Sequence, residues 1–295
     1  MQASAQRAIR DHLRTLSDNQ VSNAGLVAVR PTTGEILAMV GSVDFDNEAI
    51  DGQVNVTTAL RQPGSAFKMF TYASALEQGW APARRLLDIP PTIPMVGQEA
   101  YRPRNKDRKF RGPVSVRTSL ASSLNVPAVR TQVAIGIDKT IDVAERLGVS
   151  SLTDRSRIGP AMALGSNEVR LIELTGAYAA LGNRGRYIEP VAILCIRDGL
   201  GRIVDQHGDG CAAAAENREV TRSSVPAGRD ALSPEVAYLM TSILSDNAAR
   251  TSGFGQLRDM LELNGRPSAV KTGTTENTRD ALTVGFTPQL ATGVW

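Results

Sequence analysis

Residues 62–79 read QPGSAFKMFTYASALEQG. Pro63-Gly64 breaks the chain. The residues after it carry apolar side chains at helical spacing, and Gly79 stands where a helix C-terminal glycine belongs. The stretch therefore predicts a buried helix entered through a sharp turn, with Ser65 at its opening and Lys68 three residues on. Positions i and i+3 share a helix face, so the hydroxyl and the amine meet. A serine on a first turn also faces the positive helix end and its unpaired N–H groups, which stabilise a developing oxyanion. A lysine buried beside a second cation has a depressed pKa and acts as a base. Ser65 is thus a candidate nucleophile and Lys68 its base.

The chain around this helix sets the fold class. Upstream, MQASAQRAIRDHLRTL reads as an amphipathic helix with Ile9, Leu13 and Leu16 on one face. AGLVAVRP and GEILAMVGS, joined by PTTG, then read as a hairpin. Downstream, residues 82–94 are Pro-rich and read as irregular. Helices are expected over 114–134 with a break at Asn125-Val126-Pro127, over 137–147, over 168–181 and over 234–249. Strands are expected over 190–196 and 202–204. Residues 206–232 read as a polar, mobile connector, and 268–272, 282–287 and 290–295 as three closing strands. Hairpins at both ends of the chain predict an α/β (α+β) fold: one antiparallel sheet from about 24–42 and 190–295, with a helical insertion at about 80–185.

Composition narrows the function classes. At 295 residues the chain suits one domain with a subdomain. Aromatics are only 4%, so aliphatic residues must fill the core. The net charge of +3 is too small to select an anionic partner. The run RPRNKDRKFR over 102–111 reads first as a solvated loop and second as a contact for an anionic ligand; a nucleic-acid role is not expected. No apolar run reaches membrane-span length and no signal-peptide core is present. Cys195 and Cys211 read as two unpaired thiols, one in a strand and one in a loop. No metal-ligand spacing, phosphate loop or dinucleotide fingerprint occurs, so neither metal nor cofactor is expected. The two histidines, His12 and His207, lie far from any nucleophile-like turn, which leaves lysine to activate a serine.

S-x-x-K alone is weak, since roughly one chance match is expected in a chain of this length. Ser268-Ala269-Val270-Lys271 also matches, but on a strand, where i and i+3 point to opposite faces. Two further patterns strengthen the reading. Lys271-Thr272-Gly273-Thr274 is the one K-[ST]-G in the chain. Lys271 offers charge to a substrate carboxylate, Thr272 and Thr274 offer hydroxyls, and Gly273 is expected to let a substrate backbone lie along the strand. The Thr274 N–H is a candidate second oxyanion donor. S-x-N occurs three times, at Ser17-Asp18-Asn19, Ser123-Leu124-Asn125 and Ser245-Asp246-Asn247. Ser123 and Asn125 are preferred because they sit at a helix break able to face a cleft.

These three patterns together are the recognised signature of serine β-lactamases and penicillin-binding proteins. RQPGSAFK, FRGPVSVRTSLASSLNVPAV, MALGSNEVRLIELTGAYAAL, AYLMTSILSDNAAR and AVKTGTTENTRDALTVGFTP resemble segments of the transpeptidase domain of class A, bifunctional penicillin-binding proteins. The resemblance covers nearly the whole chain and selects Ser123 and Asn125 among the S-x-N matches. It implies a β-lactamase/transpeptidase-like fold, a five-stranded antiparallel sheet flanked by helices with an all-helical subdomain. It also implies a DD-transpeptidase acting through an acyl-enzyme on Ser65. Lys68 takes the serine proton, Ser123 and Lys271 relay a proton to the leaving D-Ala, and Asn125 orients Lys68. Thr272, Gly273 and Thr274 bind the substrate. The implied partners are peptidoglycan stem peptides ending in D-Ala-D-Ala, and β-lactams. The implied location is the extracytoplasmic face of the bacterial plasma membrane.

The resemblance further implies that the chain is a fragment, without the family's membrane helix, glycosyltransferase domain and last helix. Leu282, where relatives commonly carry an aromatic, and Gly165-Ser166-Asn167, where many have a Gly-rich turn, bear on fine substrate preference. A DD-carboxypeptidase and a β-lactamase remain alternatives. The β-lactamase reading needs a base for the deacylating water, and Glu262-Leu263-Asn264 lies in a poor place to supply it. A non-catalytic wall-binding or sensing module is disfavoured by the intact patterns.

Overall fold

The computed structural model describes every residue except 17–20, 96, 226 and 276–278, and the side chain of residue 98. The first S-x-N match therefore lies outside the described residues. The helices that matter are α1 (Gln2–Arg14), α2 (Lys68–Glu77), α3 (Val116–Ala121), α4 (Asn125–Ile135), α5 (Ile137–Arg146), α6 (Leu171–Gly182), α7 (Gly210–Ala215) and α8 (Pro234–Leu244). The main strands are β1 (Leu26–Val29), β2 (Ile36–Val40), β3 (Ala269–Thr274), β4 (Ala281–Phe286) and β5 (Ala291–Val294).

These strands form one five-stranded sheet in the order β3-β4-β5-β1-β2, antiparallel throughout. The chain's two ends meet at its centre, where Leu26 pairs with Val294. Every residue of β1 is buried, which requires cover on both faces. On one face α1 sets Ala5 and Ile9 against Leu26, Ala28, Ala38 and Val40. On the other, α6 packs Leu174 and Tyr178 into the main core with Val27, Val29, Val284 and Phe286. Gly293 makes that approach possible, because a Cβ there would lie 2.1 Å from Thr175 Oγ1.

Helix α2 is the hub. All residues from Lys68 to Leu76 are buried. A helix apolar all round its circumference sits inside a protein, and α3, α4, α5 and α8 pack around this one. Lys68 is the one charged side chain carried into that core by α2.

Several expectations need correcting. Of the strands expected at 190–196 and 202–204, only Val191 reaches the main sheet, through a parallel bridge to Glu35, next to the start of β2. Cys195–Arg197 pairs with Ile203–Gln206 as a separate two-stranded hairpin, its outer residues exposed. Cys195 and Cys211 are not free thiols but a disulfide, with Cα atoms 4.7 Å apart. Helix α7 brings them together by seating Gly210 against the Leu194 carbonyl, where a Cβ would lie only 2.2 Å away. The two cysteines stand 16 positions apart in the sequence, and nothing between them signals this contact. In the stretch expected to be a mobile connector, Asp209 accepts from the Thr221 N–H at 2.8 Å and from Thr221 Oγ1 and Arg218 Nη1 at 2.7 Å, which ties residues 218–221 to the start of α7.

Residues 82–94 are not wholly irregular either. Arg85–Asp88 pairs with Gly112–Ser115, and Ile93–Met95 with Gln98–Tyr101. The region between the sheet halves is therefore helical with small hairpins, and the break between α3 and α4 falls at residues 122–124.

Candidate active site

Ser65 lies in a single 3-10 turn, Gly64–Phe67, that runs into α2. Three backbones crowd at this turn. A Cβ on Gly64, which has φ +53°, would stand 2.5 Å from the Thr274 carbonyl oxygen. A Cβ on Gly165, with φ +77°, would stand 2.2 Å from the Gly64 carbonyl oxygen. A Cβ on Gly273 would stand 2.3 Å from the Pro63 carbonyl oxygen. Gly273 faces inward and makes room for the Pro63-Gly64 turn, fixing Ser65 beside β3. Thr272 and Thr274 alternate with it along the strand. Strand β3 is an edge of the sheet, and these two threonines line the cleft over Ser65. In the second S-x-x-K match, Ser268 lines a hollow on the outer sheet face while Lys271 is buried inward, so the two cannot pair.

The hydrogen-bond geometry of Lys68 determines what it can do. Its Nζ is 2.9 Å from Ser65 Oγ, 2.7 Å from the Ser123 carbonyl oxygen and 2.7 Å from Asn125 Oδ1. Ser123 Oγ is more distant, at 3.4 Å. The carbonyl and the amide oxygen only accept, so they take two N–H bonds. The remaining tetrahedral direction of Nζ points at Ser65. Burial in a site closed to solvent holds the pKa of Lys68 well below that of a free lysine, and the nearby charge of Lys271 lowers it further. In the neutral amine, that remaining direction is a lone pair able to take the Ser65 proton.

Lys271 is 2% exposed, and its Nζ donates to Ser123 Oγ at 2.8 Å and to the Thr272 carbonyl at 2.8 Å. Burial, then the charge of Arg250, lowers its pKa to about 7. Ser123 Oγ therefore lies between two amines whose affinities for protons are both lowered, 2.8 Å from Lys271 and 3.4 Å from Lys68.

Ser123 reaches this place through an unusual backbone. Helix α3 ends in a Schellman closure: Leu124 N–H bonds the Ser119 carbonyl at 2.9 Å and Ser123 N–H bonds the Leu120 carbonyl at 3.1 Å. The residue at the left-handed position of such a closure is usually glycine, but here it is Ser123, with φ +58°. Placing a side chain there costs about 1 kcal/mol. The packing around it holds that conformation. Ser122 Oγ donates to the Ala249 carbonyl at 2.7 Å. A Cβ on Gly253 would stand 2.1 Å from the Ser122 carbonyl oxygen, so residues 249–253 press directly against the turn.

Asn125 opens α4, whose preceding residue Leu124 supplies no side-chain cap. The cap comes from Asn105, whose Oδ1 accepts from the N–H groups of Asn125 at 2.8 Å and Val126 at 3.2 Å. Asn105 Nδ2 is itself held by both oxygens of buried Asp88, at 2.7 and 2.9 Å. The Arg104 carbonyl accepts from Asn125 Nδ2 at 2.9 Å, which turns the amide oxygen toward Lys68. Asp88, Asn105, Ser122, Arg250 and Gly253 were not singled out in the sequence. None of them carried a local signal, since a polar residue such as Asn105 inside a basic run reads as surface until its burial is known.

Behind the lysines lies Arg250, only 2% exposed. It donates to the Leu244 carbonyl at the end of α8, and weakly to Asn247 Oδ1 at 3.4 Å and the Val270 carbonyl at 3.5 Å. It joins α8 to β3 one residue before Lys271.

Ser65, Ser123, Asn125, Thr272 and Thr274 open onto one cleft of about 560 Å³. Among its described lining residues there is no Asp, Glu or His. Glu262 and Leu263 lie elsewhere, against the outer face of the sheet. Among the described residues no cluster of His, Cys, Asp and Glu is arranged to hold a metal, and no helix is long and apolar enough to cross a membrane.

This geometry agrees with three comparisons. Residues 24–292 match the family described as the penicillin binding protein transpeptidase domain. Penicillin-binding protein 1A of Rickettsia felis is 33% identical over 278 residues, 92% of this chain and 34% of the relative. Penicillin-binding protein 2D of Bacillus subtilis is 30% identical, across 100% of this chain and 39% of its own length. The chain thus spans little more than a third of these relatives. The crystal structure of penicillin-binding protein 1A from Haemophilus influenzae superposes with a TM-score of 0.75 at 28% identity, covering 92% of this chain and 42% of that one. PonA1 of Mycobacterium tuberculosis in complex with penicillin V shares the fold with a TM-score of 0.77 at 24% identity, covering 100% of this chain and 74% of that one. The chain belongs to the penicillin-binding protein transpeptidase family.

Proposed function

We propose that this chain is a serine DD-transpeptidase that joins peptidoglycan stem peptides and is acylated by β-lactams. Neutral Lys68 takes the Ser65 proton as Oγ attacks the carbonyl of the D-Ala-D-Ala bond. The N–H groups of Ser65 and Thr274 hold the oxyanion. Lys271, Thr272 and Thr274 receive the terminal carboxylate. As the C–N bond breaks, a proton passes through Ser123 to the departing D-Ala amine, leaving an ester on Ser65. An amine from a neighbouring strand then attacks the ester, forms the cross-link and frees Ser65. The work is done on the extracytoplasmic side, where the family builds cell wall, and the reaction needs no metal or cofactor.

The observation that carries this reading is the set of contacts at Lys68: two obligate acceptors and one direction left for the serine. The described cleft lining also favours a slow-turnover acyl-enzyme over a β-lactamase. It holds no carboxylate to activate a deacylating water. Hydrolysis to a DD-carboxypeptidase product is the second reading, because the same ester accepts water when no amine is present.

The test is intact-protein mass spectrometry after incubation with a penicillin. Wild type is expected to gain one drug mass that persists, and Ser65→Ala to gain none while keeping its circular dichroism. Equal labelling of both proteins would remove Ser65 as nucleophile. Hydrolysed drug with no adduct would point to a β-lactamase.

A further inference from the structure

The basic run over 102–111 has more structure than a solvated loop. Burial alternates along it: Pro103 and Asn105 are buried, while Arg102, Arg104 and Lys106 are exposed. All three cations line the same cleft as Ser65. The buried members fix the row. Asn105 is clamped to Asp88 on one side and to the start of α4 on the other. The Arg104 carbonyl is bonded to Asn125 Nδ2, so the row is registered against the catalytic residues through a single side chain.

The acids nearby are already engaged. Asp107 pairs with Arg111 at 2.6 Å, and Asp88 receives Asn105 and the Arg111 N–H. Among the described residues, none of Arg102, Arg104 and Lys106 has a carboxylate partner. The result is a cleft wall with three cations and, among the described residues, no acid facing it. Like charges gathered on one concave wall repel one another and focus a positive potential into the cleft.

The substrate's terminal carboxylate does not explain this wall, because Lys271, Thr272 and Thr274 on β3 already supply a site for it. A peptide seated with its scissile bond at Ser65 has its upstream residues to place along the cleft. We infer that Arg102, Arg104 and Lys106 form a subsite for a second carboxylate, carried by the side chain of the residue that precedes D-Ala-D-Ala in the donor peptide. This rests on the transpeptidase reading above and names the donor class it prefers. Guanidinium groups pair with carboxylates through two parallel hydrogen bonds and distinguish them from the neutral carboxamide of the same shape.

The experiment compares two donor peptides ending in D-Ala-D-Ala, one with a free side-chain carboxylate at that residue and one with a carboxamide. Single-turnover acylation of Ser65 is measured without acceptor, so that only donor recognition is read. Wild type is expected to favour the carboxylate donor by about tenfold in kcat/KM. The preference should shrink as ionic strength rises from about 0.05 to 0.5 M, as for any solvent-facing charge pair. The triple substitution R102Q/R104Q/K106Q is expected to bring the ratio near one.

A wild-type ratio near one overturns the inference. So does a ratio that survives the triple substitution. Acylation by a penicillin with an uncharged side chain is run beside it. If penicillin labels wild type and the donors are not distinguished, the subsite alone is lost. If penicillin fails to label wild type, the Ser65 reading falls and takes the subsite with it.

Discussion

Ser123-Leu124-Asn125 and Ser245-Asp246-Asn247 carry the same pattern, and each follows the last residues of a helix. One backbone angle separates them. Ser123 has φ +58° and leaves α3 in the left-handed region, so its hydroxyl swings into the cleft to meet Lys271. Ser245 has φ −100° and simply extends α8, its hydroxyl turned back to the Ser242 carbonyl at 3.3 Å. The second segment is nevertheless tied to the first. Asp246 pairs with Arg117 of α3 at 3.1 Å, and the Ala249 carbonyl accepts from Ser122 Oγ. A short pattern thus has two outcomes, a reacting group and a support for it, and the backbone decides which.

The largest effect is expected from Ser123→Ala. The change removes one of the two acceptors of Lys271 and the hydroxyl between the two lysines, while alanine adds no packing volume. A positioned proton carrier contributes about 10²-fold or more, so the rate of penicillin acylation, followed by intact mass, should fall by about that factor. A fall under about threefold would mean that the left-handed turn places a bystander. A smaller effect is expected from Gly253→Ala. The new methyl meets backbone, not a flexible side-chain end, and the Ser122 carbonyl must move. Such crowding costs about 1–3 kcal/mol of stability. The acylation rate should also drop, by about tenfold, because Ser123 is displaced. Stability lost at an unchanged acylation rate would show that 249–253 scaffolds the fold without setting Ser123.

What the sequence disclosed, and what it did not, follows from the same physics. Ser65, Lys68 and Lys271 were readable because helix and strand periods are local and say which residues share a face. The sheet was readable at both chain ends for that reason, through hairpins such as β1–β2. The disulfide was not, since nothing local to Cys195 or Cys211 specifies the approach of α7 to the 195–206 hairpin. The packing role of Gly273 was hidden too, because the approach of Pro63 to the strand is a tertiary contact that no local pattern specifies. The Asp88–Asn105–Asn125 chain spans distant residues whose polarity reads as surface until burial is known. A left-handed serine was equally hidden, because a Schellman closure advertises itself by glycine and this one lacks it.

The smallest effect belongs to Ser245→Ala. Its hydroxyl is exposed and makes one long bond to its own helix. Neither Lys68 nor Lys271 bonds it; both direct their Nζ groups to Ser123. Surface changes away from caps and buried networks stay within about 0.5 kcal/mol of wild type. The acylation rate should therefore stay within about twofold. The supporting role of this segment runs through the Asp246 carboxylate and the Ala249 carbonyl, which the substitution leaves in place. A collapse of acylation in Ser245→Ala, with the fold intact, would assign the catalytic hydroxyl to the wrong copy of the pattern.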